Sequence, residues 1–111
     1  MDHSVFLDRI RRFRFAAGNR EAARADARRI ADFLRAEGAT RVVGIGSAFV
    51  SSRRFTKRSD IDLVVEGLPP RRFFRILAGA ADMTAFELDL TPAESATDYM
   101  RQAVDDEGVD L

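Results

Sequence analysis

Apolar residues recur along this chain with two periods, and the period changes at its glycines and prolines. Phe6, Ile10 and Phe13 stand at helical spacing among Arg9, Arg11, Arg12 and Arg14. That spacing predicts a short amphipathic helix over residues 4–15 with a basic face. Ala17-Gly18-Asn19 breaks it. Asn19 is a good N-cap for a second helix, whose inward face is Ala23, Ala27, Ile30, Ala31 and Leu34, and Gly38 is its natural stop. Residues 41–46 then read as a short strand rich in β-branched side chains, and Ile61-Asp62-Leu63-Val64-Val65 as another, apolar enough for a central position buried on both faces. The polar, basic stretch 47–59 between them carries no strand signal.

Pro69-Pro70 suits a helix start, after which Phe73, Phe74, Ile76, Leu77 and Ala80 or Ala81 can cover the sheet. Residues 84–90 alternate apolar with polar, which predicts a half-buried strand. Thr91-Pro92-Ala93-Glu94 reads as a capping box that opens a last helix, with Ala96, Met100, Ala103 and Val104 inward and Gly108 near its end. The order is helix, helix, strand, loop, strand, helix, strand, helix. It predicts an α/β (α+β) fold: a small mixed sheet of three or more strands with helices mainly on one face. No repeat or linker interrupts it, so the expectation is one domain over 1–111, with 1–19 as an N-terminal helical extension.

Composition narrows the functional classes. Lys+Arg and Asp+Glu both number 18, so the net charge of zero argues against a nucleic-acid binder held by bulk charge. The charge is nonetheless segregated, basic over 9–14 and 53–58 and mostly acidic over 82–110. The absence of cysteine excludes disulfides and thiolate metal sites, and the single His3 cannot build a histidine-rich zinc site. No apolar run approaches a membrane span and no signal peptide is visible, so a cytoplasmic protein is expected. A domain of this size has no room for a second catalytic lobe, so a closed site calls for a partner or an oligomer.

Asp60 and Asp62 lie two apart at the start of a predicted strand, so their side chains share a face while Ile61 packs the other way. Two carboxylates held together repel unless a proton or cation lies between them, and a hard oxygen-seeking ion such as Mg²⁺ suits the pair. Asp-x-Asp alone is equally an exposed acidic rim. Gly46-Ser47 adds weight. It closes the preceding strand, where glycine lets backbone approach a ligand and free amides with the Ser47 hydroxyl can take a phosphate oxygen. Arg53, Arg54, Lys57 and Arg58 in the intervening loop can neutralise a triphosphate or simply face solvent. A third carboxylate would come from Glu87 or Asp89, which alternate with Phe86, Leu88 and Leu90.

These residues carry a resemblance. Gly46-Ser47, an eleven-residue spacer and Ser59-Asp60-Ile61-Asp62-Leu63, followed by Leu88-Asp89-Leu90, resemble the minimal nucleotidyltransferase domains of the polymerase-beta-like superfamily. The closing Glu107-Gly108-Val109-Asp110-Leu111 is similar to the way many members end, and the likeness runs over roughly residues 20–111. It implies that Asp60, Asp62 and Asp89 are catalytic and bind one or two Mg²⁺. It implies further that Gly46, Ser47, Ser59, Arg53, Lys57 and Arg58 bind the nucleotide, ATP or another nucleoside triphosphate. Small stand-alone members are antitoxins paired with α-helical HEPN ribonuclease toxins, and some transfer AMP onto a tyrosine of that toxin. The competing expectation is a binding module that neutralises its partner by contact alone. A haloacid-dehalogenase phosphotransferase is disfavoured, because its Asp-x-Asp ends a buried strand whereas Phe55-Thr56-Lys57-Arg58-Ser59 precedes this one. Gly44-x-Gly46 lacks the third glycine of a dinucleotide site, and an EF-hand fails because Val64 occupies its fifth position.

Overall fold

The computed structural model describes residues 19–56 and 60–111. The helix expected over 4–15 lies outside them. The described chain runs α1 (Arg20–Ala36), β1 (Arg41–Ile45), β2 (Ile61–Glu66), a 3-10 turn at Pro70–Arg72, α2 (Phe73–Ala81), β3 (Leu88–Pro92), a 3-10 turn at Ala93–Ser95, α3 (Asp98–Glu107) and β4 (Val109–Asp110). The strands form one mixed sheet in the order β3-β2-β1-β4. β1 pairs antiparallel with β2 and with β4, whereas β2 and β3 run parallel. This is the small mixed α+β sheet that the pattern predicts.

Helix α1 forms where the sequence signals place it. Asn19 accepts the Ala22 amide at 3.1 Å, which satisfies one of the open donors of the first turn. Its stripe of Ala23, Ala27, Ile30, Ala31 and Leu34 is fully buried. That stripe packs, together with Ile76 and Ala80 of α2, on the sheet face made by Val42, Ile61, Leu63, Val65 and Leu90. The opposite face carries Val43, Ile45 and Val64, half-covered by Met100, Ala103 and Val104 of α3. Two of the three helices among the described residues thus share one face, and α3 lies on the other. Among the described residues no helix is long and apolar enough to cross a membrane.

Four details depart from the sequence expectations. The third strand covers Leu88–Pro92, not 84–90. The Thr84 hydroxyl donates to Asp26 Oδ2 at 2.8 Å and accepts the Phe86 amide at 3.1 Å, and this local turn competes with a ladder until Leu88. Thr91 and Pro92 therefore end a strand in place of opening a helix; β3 has one recorded neighbour in the sheet, and an outer strand tolerates proline. The cap of α3 is Thr97, whose hydroxyl accepts the Met100 amide at 3.2 Å. Phe74, expected to cover the sheet, is 80% exposed, because Phe73 takes the inward position beside it. The short strand β4 was unread, since two residues carry no period.

Candidate active site

The register of the three longer strands brings Ile45, Asp62 and Asp89 into one row across the sheet. Ile45 is the antiparallel partner of Asp62, and Asp62 is the parallel partner of Asp89. Paired residues present side chains to the same face, so the row lies on the α3 face, opposite the main core. Ile61 and Leu63 on either side of Asp62 are both completely buried beneath α1 and α2. They fix the strand and thereby aim Asp62 outward. Asp60 stands just before β2 and is exposed, Asp62 is half-buried, and Asp89 is exposed. Glu87 lies before β3, where its carbonyl accepts the Ile61 amide at 2.9 Å, outside the row.

The electrostatics single out Asp62. Burial pushes its carboxyl up to about 6, and the charges of Asp89 and Asp60 push in the same direction. Asp62 therefore feels the charge of both neighbouring acids at this end of the sheet.

Gly46 closes the row from the β1 side. Its φ of +84° lies in the left-handed region that favours glycine. A Cβ there would fall 2.8 Å from Asp62 Oδ2, so backbone and carboxylate approach more closely than any other residue permits. The chain then makes a tight turn, with the Phe49 and Val50 amides donating to the Gly46 carbonyl at 3.0 and 3.1 Å. Ala48 and Phe49 are buried, the Phe49 ring lying against Gly44, where a Cβ would stand 2.5 Å from it. Further on, Phe55 packs against Phe86, with centroids 5.8 Å apart. The loop between β1 and β2 is thus anchored by aromatic side chains, although its sequence reads as polar.

The nucleotide-binding residues implied by resemblance are placed unevenly. Gly46 stands beside Asp62, and Ser47 follows it in the turn. The Arg53 guanidinium pairs with Glu107 at the end of α3, 2.9 Å away. Lys57, Arg58 and Ser59 lie outside the described residues. Two arginines of α1 that the sequence analysis did not single out hold this loop: Arg20 donates to the carbonyls of Ser47, Ser51 and Arg53, and Arg24 to the Ala48 carbonyl and the Ser51 hydroxyl. Their i,i+4 spacing at the start of α1 was the available signal.

Among the described residues, no three carboxylate or imidazole groups stand close enough, as placed, to ring a metal ion. In chemistry Asp60, Asp62 and Asp89 do fit a hard divalent cation. They are all-oxygen donors, and their mutual repulsion at Asp62 is what such a cation relieves.

Neither a protein-family model nor a curated protein matches this chain. Solved structures do. A chain of a mutant MntA–HpeT toxin–antitoxin superposes with a TM-score of 0.61 at 19% identity, over 76% of this chain and 70% of that one. A toxin–antitoxin solved with AMP-PNP gives 0.61 at 21% identity, over 76% and 70%. A structure of the tri-AMPylated Shewanella oneidensis HEPN toxin in complex with MNT antitoxin gives 0.58 at 19% identity, over 79% and 70%. The chain shares its fold with these toxin–antitoxin chains. The row of Ile45, Asp62 and Asp89 and the turn at Gly46 lie together at one end of the sheet.

Proposed function

We propose that this chain is a nucleotidyltransferase of the MNT antitoxin type. It transfers a nucleoside monophosphate, AMP from ATP, to a hydroxyl, and the acceptor is a tyrosine of a HEPN-type toxin partner. The observation that carries the reading is the register that sets Asp62 between Asp89 and the Gly46 turn. It is supported by the fold shared with toxin–antitoxin structures, one of them with AMP-PNP and another with an AMPylated toxin.

Each residue has a chemical task under this reading. Asp60, Asp62 and Asp89 would hold one or two Mg²⁺, which supply charge neutralisation to the reacting phosphate and the leaving pyrophosphate. The Gly46 turn and the Ser47 hydroxyl take oxygens of the β- and γ-phosphates, and the family resemblance alone assigns Ser59, Lys57 and Arg58 to the nucleotide. Asp89 accepts the proton of the incoming hydroxyl. The bond from the α-phosphorus to the bridging oxygen of the β-phosphate breaks as the bond to the acceptor oxygen forms.

Intact-mass spectrometry of a co-expressed HEPN-type partner, after incubation with Mg²⁺ and each nucleoside triphosphate in turn, tests the reading. Nucleoside monophosphate increments on the partner are expected with ATP, and none with Asp62→Asn. An unmodified partner that Asp62→Asn neutralises as well as the wild type does would establish the contact-only antitoxin in its place.

A further inference from the structure

Polar loops usually leave their carbonyls to water, yet the loop after β1 does not. Arg20 opens α1 and Arg24 lies one turn later on the same helix face. Arg20 Nε donates to the Ser47 carbonyl at 3.0 Å, Nη1 to the Ser51 carbonyl at 3.4 Å and Nη2 to the Arg53 carbonyl. Arg24 Nε donates to the Ala48 carbonyl at 2.7 Å and Nη2 to the Ser51 hydroxyl at 3.3 Å. Both guanidinium groups are directed at a seven-residue stretch, 47–53, from 24 to 33 positions away in sequence. Only a guanidinium carries enough divergent N–H donors to do this, and lysine has no such fork.

The direction of these bonds matters as much as their number. A trans peptide is planar, so its C=O and N–H point opposite ways. Drawing the Ser47 carbonyl toward α1 turns the Ala48 amide away from α1. Helix α1 lies on the core face of the sheet, whereas Asp62 and Asp89 lie on the other. Ser47 follows Gly46, whose Cβ position lies 2.8 Å from Asp62 Oδ2, so the turn that is held abuts the carboxylate side. Fixing the Ala48 carbonyl in the same way sets the following amide, that of Phe49, on the Gly46 carbonyl and so closes the turn.

We propose that Arg20 and Arg24 are positioning residues for phosphate binding: they hold the Ser47–Arg53 loop by its carbonyls so that the Gly46-Ser47 turn presents its amides to the β- and γ-phosphates of the substrate. This rests on the nucleotidyltransferase reading. The two arginines touch no reacting atom and act through the loop. Their effect falls on nucleotide affinity, and the transfer step itself is left to the carboxylates.

The test uses the full chain as wild type, Arg20→Ala/Arg24→Ala and Arg20→Lys/Arg24→Lys. Hydrogen exchange of amides 47–53 without nucleotide reads the strap. Calorimetric titration with AMP-PNP and Mg²⁺ reads its consequence, and KM against kcat for partner modification reads where that consequence falls. The expected result is exchange over 47–53 at least about tenfold faster in the alanine variant, with the exchange of β2 unchanged, because loop opening then needs less free energy. Nucleotide affinity falls about tenfold and KM rises in proportion, while kcat stays within about twofold, the pattern of lost ground-state binding. The lysine variant keeps both charges without the fork and is expected to behave like the alanine variant.

Full affinity in the lysine variant would show that charge alone matters and overturn the positioning role. Faster exchange with unchanged affinity would make the strap merely structural and overturn the proposal, as would unchanged exchange. Should the alanine variant fail to fold, the lysine variant and the single Arg24→Ala carry the same comparison. A wild-type chain that binds no AMP-PNP with Mg²⁺ sinks the nucleotidyltransferase reading and this role with it; slow wild-type exchange over 47–53 would then show the strap in place and the fault to lie in the reading.

Discussion

The two faces of this sheet are cut from alternate residues of the same strands, and they are used in opposite ways. On one face Val42, Ile61, Leu63, Val65 and Leu90 are sealed beneath α1 and α2. On the other, Val43 and Val64 lie under α3, while the row above them holds Ile45, Asp62 and Asp89. Below them Arg41, Glu66, Arg101 and Asp105 border an open cavity of about 260 Å³. The first face supplies stability, and the second carries charge at both of its ends. Asp62 shows how they are coupled. It sits between two residues with 0% exposure, so packing on one face decides where a half-buried carboxylate points on the other.

Damage confined to the sealed face has the largest expected effect. Leu63→Ala removes a fully buried side chain next to Asp62. The expected loss is about 3 kcal/mol, within the range of about 2–5 for such cavities. Urea denaturation followed by circular dichroism measures it, and nucleotide binding should weaken in the same variant because β2 loses its support. A loss under about 1 kcal/mol would mean that α1 and α2 do not seal this face as described.

Glycines 44 and 46 allow a finer cut, since each guards a different face. An alanine at Gly44 would drive its Cβ to 2.5 Å from the Phe49 ring, a core clash. At Gly46 it would meet the left-handed φ of +84° and stand 2.8 Å from Asp62 Oδ2. Gly46→Ala is expected to lower stability by about 1–3 kcal/mol through backbone strain. It should also remove nucleotide transfer, because the clash displaces the carboxylate. Gly44→Ala should unfold the loop and core together. A Gly46→Ala variant with full transfer activity would dissociate the turn from the site.

The same contrast explains what was legible in the sequence. The sealed face is written as periods: the stripe Ala23, Ala27, Ile30, Ala31 and Leu34 and the run 61–65 predict α1 and β2 almost to the residue. Alternation places Asp62 and Asp89 on one face once the strands are known, whereas Asp60 stands just before β2, where the alternation does not reach. What depends on tertiary hydrogen bonds was not readable. Thr84 holds 84–87 out of the sheet through Asp26, 58 residues away, so β3 began later than its alternation suggests. Thr97 outcompeted Thr91 as a cap because Pro92 was already engaged opposite Val65. Arg20 and Arg24 look like solvated helix residues until the loop they hold is in view. Arg53, read with Lys57 and Arg58 as one basic cluster, turns out to face Glu107.

Acidity on the open face gives a smaller and signed effect. The Asp62 carboxyl is raised from 3.8 to about 6, foremost by burial and then by Asp89 and Asp60. Between those values the native state binds the proton that the unfolded chain has lost, so stability falls as pH rises from about 4 to 6 and is flat beyond. Asp62→Asn removes this penalty. It is expected to match the wild type near pH 4 and to exceed it by about 1 kcal/mol at pH 7, once the full shift is discounted for solvent screening of a half-buried group. Added Mg²⁺ should stabilise the wild type more at pH 7 than at pH 5, where the proton competes, and leave Asp62→Asn largely unmoved. Thermal melts at the two pH values decide it; a mutant no more stable than wild type at pH 7 would remove the electrostatic strain from the picture.

The smallest expected effect on stability concerns the ion pair that joins the loop to α3. Arg53 and Glu107 stand 2.9 Å apart, with side chains 45% and 25% exposed. Such a pair contributes about 0.2–1 kcal/mol, so neither Arg53→Ala nor Glu107→Gln should shift the melting midpoint by more than a few degrees. Their effects on nucleotide binding should differ in sign. If Arg53 serves the phosphates, it must leave Glu107 to do so. Glu107→Gln frees the guanidinium and should tighten AMP-PNP binding by about twofold to fivefold, on the order of 0.4–1 kcal/mol. Arg53→Ala should weaken it by a similar factor, and both differences should shrink at high salt, since the contact is partly exposed. Equal affinities in all three proteins would assign Arg53 to the frame that braces the open face and take it out of the nucleotide site.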